Sequence, residues 1–464
     1  MGAPAVELVR ALIAVTQATS ERPGFALSAV TMLRIEIWLL VLIPSDLVIG
    51  PLGGAGSPAY LLGALLLVWW AITVLDPSFD GPRPCVPLRI VLAGVWVATL
   101  ASYTKMHMHE VPVTESNTAD LFLLELAVFS GIALVAAEGL RTRDDVMAVV
   151  RTLVSAVAVM AAIAILQFRP GLDLTVYIAR IPGLALNGAL SGVQQRGGFN
   201  RPSGTAIHPI EFAATIGTVI GFAIHLLAYD HGQSRQRRWI CFGLIGLAIP
   251  ISLSRSGLLV AGCVIVMFFL GAARPLRRPA LSVALVSLLI VFMAIPGLIG
   301  TLGGFVLAGN DDSSISTRTS DYGAIAHYVR QSPWLGRGAG TFLPSYRILD
   351  NQYLLSAIEI GLVGVVGLIA LFGLPIVLGR DARRRSDDDA ERNLGQMFAA
   401  AGLATLLAAA TYDALSFPMY VMLVATWTGL SGAWWVIART EVESASTPIK
   451  NTENSPQGME GISR

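Results

Sequence analysis

Charged side chains are scarce in this sequence, which excludes an ordinary soluble domain. Only 14% of the 464 residues are charged and 54% are hydrophobic, whereas about a quarter of the residues in soluble domains are charged. Lysine is almost absent, because Lys105 and Lys450 are the only two among 32 basic residues. The three cysteines are scattered and offer neither a disulfide framework nor a metal-ligand spacing. This composition predicts an integral membrane protein.

The apolar residues fall into long runs. About twenty apolar residues cross a bilayer as a helix. On this template the sequence predicts twelve spans, at roughly 30–49, 57–76, 86–102, 120–138, 146–167, 209–228, 238–253, 255–273, 280–299, 353–378, 395–412 and 417–437. The arginine-rich connections then share one side with both termini; they are 141–145, 231–238, 274–278 and 379–385. Because basic loops remain in the cytoplasm, we expect both termini there, and we expect no cleaved signal peptide.

Segments outside these spans complete the predicted organisation. Residues 1–29 form a cytoplasmic N-terminal segment, 30–438 the membrane domain, and 439–464 a polar, disordered cytoplasmic tail. Two outer loops, about 168–208 and 300–352, are much longer than usual connections. Together they carry eight arginines, against the usual charge bias of outer loops. Loops of this size and charge are typical of a functional surface.

The second outer loop contains a candidate amphipathic helix in "STRTSDYGAIAHYVRQSPW". Apolar side chains recur at helical spacing, with Ser320 as the expected cap and Pro333 as the expected end; they are Tyr322, Ile325, Ala326 and Val329. We expect this helix to lie at the membrane surface, with Trp334 at the level of the lipid headgroups.

Three spans are predicted to begin at the outer face with polar residues. "NRPSGTAIHPIEF" precedes and opens the sixth span, "SLSRSG" the eighth and "LDNQY" the tenth. The start of a helix offers unsatisfied N–H groups and a partial positive charge, which suits an anion. Arginines beside such helix starts would suit a phosphate or diphosphate. The residues concerned are Arg201, His208, Glu211, Ser254, Arg255, Asp350 and Asn351.

Simpler structural interpretations exist for several of these residues. Arg255 could extend along its span to reach the membrane surface, and Asp350 or Asn351 could serve only as a helix cap. Glu359 is nine residues beyond Asp350, or about 13 Å deeper in a continuous helix. A carboxyl at that depth needs a partner or a watery cavity, unless it is a protonated structural acid. Gly361, Gly364 and Gly367 would give the helix a bare face for close packing.

Three motifs between about 250 and 375 resemble the O-antigen ligase and polysaccharide polymerase family of bacterial membrane glycosyltransferases. The first is "SLSRSG", and the second is "STRTSDYGAIAHYVRQSPWLGRGAGTF". The third is a spacing in which Asp350 and Asn351 are followed by nine residues, Gly361, two residues, Gly364 and Val365. Family ligases have His where this chain has Asp350. The N-terminal half resembles the family only in its spans and in the basic loop near 196–208.

The resemblance implies a GT-C-like, metal-independent glycosyltransferase with a polyprenyl-diphosphate-linked glycan donor and no cofactor. Arg255 and Arg318 correspond to arginines that hold the diphosphate, and Asp350 occupies the place of the catalytic histidine. Asp350 could act as a base or orient the acceptor sugar. The expected substrate-binding residues are Arg196, Arg201, His208, Glu211, Ser254, Tyr322, Asn351, Tyr353 and Glu359.

The predicted activity is polymerisation or en bloc transfer of lipid-linked oligosaccharide at the outer face of the cytoplasmic membrane, for a cell-envelope or extracellular polysaccharide. The acceptor would be a second lipid-linked glycan. A ligase acting on a lipid or protein acceptor is the first alternative, and a glycan-lipid transporter or flippase is the second. Transporters favour repeated halves and midplane sites, and this sequence has neither. Membrane lipids, a flippase and a chain-length regulator are the candidate partners, and no nucleic acid is expected.

Overall fold

The computed structural model describes residues 28–76, 84–168, 172–178, 180–187, 194–196, 199–273, 277–278 and 325–446. Helices dominate this part of the chain. They are α1 (Ala29–Leu42), α2 (Pro58–Leu75), α3 (Val86–Met106), α4 (Val113–Glu138), α5 (Arg143–Gln167), α6 (Thr175–Ile178), α7 (Pro209–Tyr229), α8 (Arg235–Ile251), α9 (Arg255–Gly271), α10 (Gln352–Glu359), α11 (Gly361–Arg385), α12 (Asp389–Thr411) and α13 (Pro418–Ser446). Residues 325–331 are also helical, and short 3-10 helices occur at Gly50–Gly56 and Ala414–Ser416.

Two small antiparallel sheets lie in the connections between helices. Strand β1 (Leu47–Val48) pairs with β2 (Ala185–Leu186), so that Leu47 faces Leu186. Strand β3 (Gln194–Arg196) pairs with β4 (Phe199–Arg201), so that Gln194 faces Arg201. The first pairing attaches the loop before α7 to the segment that follows α1.

Among the described residues, eight helices are long and apolar enough to cross a membrane. They are α2, α3, α4, α5, α7, α11, α12 and α13, and each overlaps one of the predicted spans. The all-α, multi-pass architecture is therefore confirmed. Three other predicted spans correspond to the shorter helices α1, α8 and α9, of 14, 17 and 17 residues. The predicted span at 280–299 lies outside the described residues. Helix α13 continues past the predicted boundary at 438.

The first predicted span is wrong in its last third, from residue 43 onward. Helix α1 ends at Leu42, and the chain turns at Pro44 before strand β1. Ile43 has extended backbone angles (φ −98°, ψ 112°) because the ring of a following proline disfavours the helical conformation. The apolar run 43–49 therefore belongs to a turn and a strand rather than to a membrane helix.

The tenth predicted span, 353–378, is not one continuous helix. It is divided into α10 and α11 at Gly361, which has a left-handed φ of +68°. A Cβ atom at this position would collide with the carbonyl of Trp334. Only glycine adopts this backbone conformation without strain. Gly361 therefore sets a backbone break, and its predicted role in a bare packing face is wrong.

Small residues allow the long helices to approach each other closely. Helices α7 and α9 run in parallel, and a Cβ on Gly257 would lie only 2.5 Å from that of Ala213. One turn further along, a Cβ on Gly217 would lie 3.0 Å from the carbonyl oxygen of Gly257. Such contacts favour helix association in membranes, where packing replaces the hydrophobic effect. They fix the relative positions of the first turns of α7 and α9.

The helices have two chemically different ends. At one end, α7, α9, α10 and α13 begin and α12 finishes, and this end is called the convergent end below. The opposite end holds ion pairs at the other termini of the same bundle. They are Arg89–Glu138 (2.6 Å), Arg151–Asp230 (2.6 Å), Arg385–Asp381 (2.8 Å) and the contacts of Arg143 with Glu391 and Glu441.

Candidate functional site

Capping side chains at the convergent end define where three helices start. His208 caps α7, with Pro209 as the first helical residue, and Ile210 N donates to His208 Nδ1 at 3.1 Å. The Ser254 hydroxyl accepts from Gly257 N at 3.3 Å, so α9 begins at Arg255 as predicted. Of the two predicted caps for α10, the structure selects Asn351.

The turn between α12 and α13 brings these helix starts together. Asn351 Nδ2 donates to the carbonyl of Ala410 at 3.1 Å, and Gln352 N donates to that of Tyr412 at 3.2 Å. The Gln352 side chain in turn accepts from Leu415 N at 2.8 Å. On the other side of this turn, the ring of Phe417 lies 5.6 Å from that of His208, measured between centroids. The starts of α7 and α10 therefore border the same turn.

Four charged or titratable side chains in this region are linked by pairwise electrostatic interactions and are called the charge cluster: Arg201, His208, Asp350 and Asp413. Arg201 and Asp350 both interact electrostatically with His208, and Asp350 also interacts with Asp413. Arg201 is only 8% exposed, and its Nη1 atom donates to Gln194 Oε1 at 3.4 Å. The cluster therefore joins strand β4 to the starts of α7, α10 and α13.

The local environment moves two pKa values within the charge cluster. Burial and, to a smaller extent, the positive charge of Arg201 lower the pKa of His208 to about 4, and Asp350 opposes this change. Burial also raises the pKa of Asp413, and the neighbouring Asp350 carboxylate acts in the same direction. His208 is therefore neutral at neutral pH, and Asp413 holds a proton more readily than an exposed aspartate.

Asp413 was missed by the sequence analysis. It lies in "TYDALSFP", between two predicted spans, and a single acid there matches an ordinary solvated turn. The available signal was its position at the same predicted membrane face as Asp350. Its closeness to Asp350 depends on contacts between segments about sixty residues apart, which no local pattern reveals.

Three predicted substrate-binding side chains are engaged with the backbone of their own protein. Glu211 is fully buried and accepts hydrogen bonds from Ile207 N at 3.0 Å and Tyr420 N at 3.1 Å. The hydroxyl of Tyr353 donates to a carbonyl on α12 at 2.9 Å. Glu359 is buried and accepts from Phe342 N at 3.1 Å. Of the predictions made for Glu359, the one in which it pairs with a polar neighbour describes this contact.

The break between α10 and α11 is surrounded by residues 332–343, called the strap. Leu362 N donates to the carbonyl of Pro333 at 2.8 Å, and Arg337 N donates to that of Ile358 at 2.9 Å. Gly338 N donates to the carbonyl of Glu359, also at 2.9 Å. The second and third sequence motifs therefore contact each other through backbone hydrogen bonds.

Side chains from two other helices anchor the strap. Lys105, near the end of α3, contacts the Ser332 hydroxyl and donates to the carbonyl of Gly336 at 3.0 Å. Glu115, in the first turn of α4, pairs with Arg337 at 2.8 Å. These contacts extend the convergent end to α3 and α4.

The predicted amphipathic helix has an apolar face that packs on protein. Residues 325–331 are helical and end before Pro333, as predicted. However, Ile325 is buried in a cluster with Phe342 and Ile358. Part of the apolar face therefore packs against α10 and the strap, and the position of this helix at the membrane surface stays a prediction. Trp334 remains 66% exposed.

Some predicted residues cannot be compared with the structure. Arg318, Ser320 and Tyr322 lie outside the described residues, so the expected convergence of Arg255 with Arg318 stays a prediction. The backbone of Arg196 belongs to β3. Within the described part of the chain, no group of three or more His, Cys, Asp or Glu side chains could hold a metal ion.

Comparison with known proteins gives one finding that bears on this site. Residues 240–369 match the O-antigen ligase family, and a comparison with curated proteins gives no significant match. The matched region runs from α8 to the first third of α11. It therefore includes Ser254, Arg255, the strap, the Asp350–Asn351 pair and the helix break. This multi-pass membrane protein thus carries an O-antigen ligase family domain, from an enzyme family that transfers glycans.

Proposed function

We propose that this protein is a membrane glycosyltransferase that polymerises polyprenyl-diphosphate-linked oligosaccharides at the outer face of the cytoplasmic membrane. The observation that carries the proposal is the charge cluster, which lies where several helices begin. Two parts of that cluster suit two substrates. Arginine and helix N-termini bind phosphate oxygens, and carboxylates accept hydrogen bonds from sugar hydroxyls.

The charge distribution supports an outward orientation of the convergent end. Arginines crowd the opposite end, including 235–238 and 380–385, and basic segments remain on the cytoplasmic side. Eight helices in the described part of the chain are membrane-length, and the shorter helices α1, α8 and α9 would add three passes between the two ends. Residues 277–278 lie beside the last turn of α9, at the arginine-rich end, while Ser332 lies at the convergent end. With the span predicted from the sequence at 280–299, the proposed topology has twelve passes and both termini cytoplasmic.

The donor diphosphate would bind beside Arg201 and Arg255, with Arg318 as a third predicted contact. In the proposed reaction, an acceptor hydroxyl attacks the anomeric carbon, a new glycosidic bond forms, and the bond from that carbon to the diphosphate oxygen breaks. Negative charge grows on the leaving diphosphate. Guanidinium groups and helix N–H groups already in position stabilise that charge more in the transition state than in the bound donor.

Asp350 and Asp413 would bind the acceptor sugar. Both carboxylates lie in the charge cluster, where they can accept hydrogen bonds from hydroxyl groups. The proton lost by the attacking hydroxyl would pass either to a carboxylate or to the departing diphosphate. An Asp350→Asn variant distinguishes these routes when it is compared with Asp350→His. Full activity in the Asn variant would exclude Asp350 as the base.

Reconstitution tests the donor site directly. The full chain is placed in proteoliposomes with a purified polyprenyl-diphosphate oligosaccharide, and glycan length and released lipid diphosphate are measured. We expect Arg255→Ala to lower the rate about a hundredfold, or roughly 3 kcal/mol. Arg235→Ala is the matched control, because Arg235 is also the first residue of a helix but lies at the opposite end and is exposed. Equal rates for the two variants would refute the proposed donor site.

The products separate the competing functions. Longer lipid-linked chains indicate a polymerase. Glycan appearing on an added lipid or protein acceptor indicates a ligase, which is the second candidate because the matched family carries that description. Movement of the lipid-linked glycan across the bilayer without a new glycosidic bond would instead indicate a transporter and refute the enzymatic proposal.

A further inference from the structure

The imidazole of His208 is held in one chemical form by the start of α7. Its Nδ1 atom accepts a hydrogen bond from Ile210 N at 3.1 Å and thereby caps the helix. A ring nitrogen that accepts a hydrogen bond carries no proton. In a neutral imidazole the proton must then be on Nε2. The cap therefore selects the tautomer with Nε2–H, which can donate but cannot accept at that atom.

Protonation of Nδ1 is opposed by three features of the surroundings. It would break the hydrogen bond from Ile210 N, and it would place a cation at the positive end of the α7 dipole. It would also put two positive charges together, because Arg201 on β4 interacts with the ring. These features agree with the lowered pKa of about 4 that burial produces for His208.

Three acidic groups near His208 carry charge of the opposite sign. Asp350, before α10, favours the charged imidazole, but its effect is smaller than those of burial and Arg201. Asp413 lies beyond Asp350, in the turn that carries Phe417. Glu211, on α7 itself, is occupied by two backbone N–H groups. None of these groups offers Nδ1 a substitute for its bond to Ile210 N.

We propose that His208 is a neutral hydrogen-bond donor to the diphosphate of the glycan donor, and not the base that accepts the proton of the acceptor. This inference rests on the proposed function and adds a catalytic residue to it. Nε2–H would donate to a diphosphate oxygen next to Arg201 and would strengthen that bond as negative charge develops. The hydrogen stays on Nε2 throughout, so no proton balance changes at this residue. A chain that lacks the family's histidine at position 350 therefore does not use His208 in its place as a base.

Nitrogen-15 NMR tests the tautomer without any enzymatic assay. The full chain is labelled at its six histidines in nanodiscs, and the His208 signals are identified by their loss in a His208→Ser variant. From about pH 5 to 8, the range in which an ordinary histidine titrates, we expect a bare Nδ1 and a protonated Nε2. Addition of a polyprenyl diphosphate should shift the Nε2–H signal. A doubly protonated ring at pH 6, or no shift on addition of the lipid, would overturn the proposal.

Kinetics test the catalytic role separately. Serine is a good helix cap, so His208→Ser keeps a cap for α7 and removes only the imidazole Nε2–H donor. We expect kcat to fall about a hundredfold while the shape of the pH–rate profile stays unchanged. Asp388→Ser is the control, because it exchanges one cap for another at the opposite end, where Asp388 caps α12. Loss of an inflection at pH 6–7 in His208→Ser would identify a base and refute the donor role. Absence of transfer by the wild-type chain would refute the proposed function and leave the NMR result standing.

Discussion

Substitution of Gly361 by alanine should uncouple the strap from the transmembrane helix that follows it. An L-residue in the left-handed region costs about 1–2 kcal/mol, and Gly361 has φ +68°. The added Cβ would also collide with the carbonyl of Trp334. Relief of that collision would break the hydrogen bond from Leu362 N to the Pro333 carbonyl, worth about 1 kcal/mol. We therefore expect the free energy of unfolding to fall by roughly 3 kcal/mol.

The same helix provides the control. Gly373 is helical, and a Cβ there would lie at an ordinary 3.9 Å from Leu406, so Gly373→Ala should be neutral or stabilise by up to about 1 kcal/mol. Both variants are compared with the wild type by denaturant titration in micelles. Gly336→Ala tests the same break from the strap, because the added Cβ would collide with the carbonyl of Glu359. Equal stability of the Gly361 and Gly373 variants would refute the explanation of the break.

Three further stability predictions follow from buried contacts and use the same measurement. Glu359→Ala should lower the free energy of unfolding by about 1–3 kcal/mol because Phe342 N loses its acceptor. Glu359→Gln keeps an oxygen there and should lower it less; equal losses for the two variants would contradict this contact. Arg89→Ala should cost roughly 3 kcal/mol because it leaves the fully buried Glu138 carboxylate without its cation, and a second change, Glu138→Gln, should recover part of the loss. Asn351→Ala should lower the free energy of unfolding by about 1–2 kcal/mol because it removes both the cap and the bond to the Ala410 carbonyl. Asn351→Ser should cost less, because serine loses only the second contact and preserves the cap; a cost for serine as large as for alanine would argue against capping.

Local chemistry explains which features could be predicted from the sequence. Long apolar runs predicted the eight membrane-length helices because hydropathy depends only on nearby residues. Likewise, the predicted span starts at 209 and 255 agree with the starts of α7 and α9, because Pro209 at the first helical position and the Ser254 cap act within one turn. The overestimate of the first span has a local cause as well. Pro44 was present in the sequence, but the apolar residues around it outweighed the turn signal.

The features that could not be predicted depend on distant contacts. Gly361 sits in a glycine repeat that is typical of a packing face, and only the carbonyl of Trp334 from the strap shows that it marks a break. The interaction of Asp413 with Asp350 depends on the turn after α12, which brings the two segments together. Hydrogen bonds and collisions between remote segments carry no periodic signal in the sequence.

The contact between Gly257 and Ala213 has a consequence for evolution of the convergent end. Neither Gly257 nor Ala213 carries a functional group, yet their contact sets the distance between α7 and α9. It thereby also sets the distance between Arg255 on α9 and His208 on α7. A Gly257→Ala substitution would add one methyl group, and that methyl would push the starts of α7 and α9 apart. Under the proposed function, the spacing of these helix starts, and with it the size of glycan that the convergent end would admit, would therefore change without substitution of any proposed substrate-binding residue.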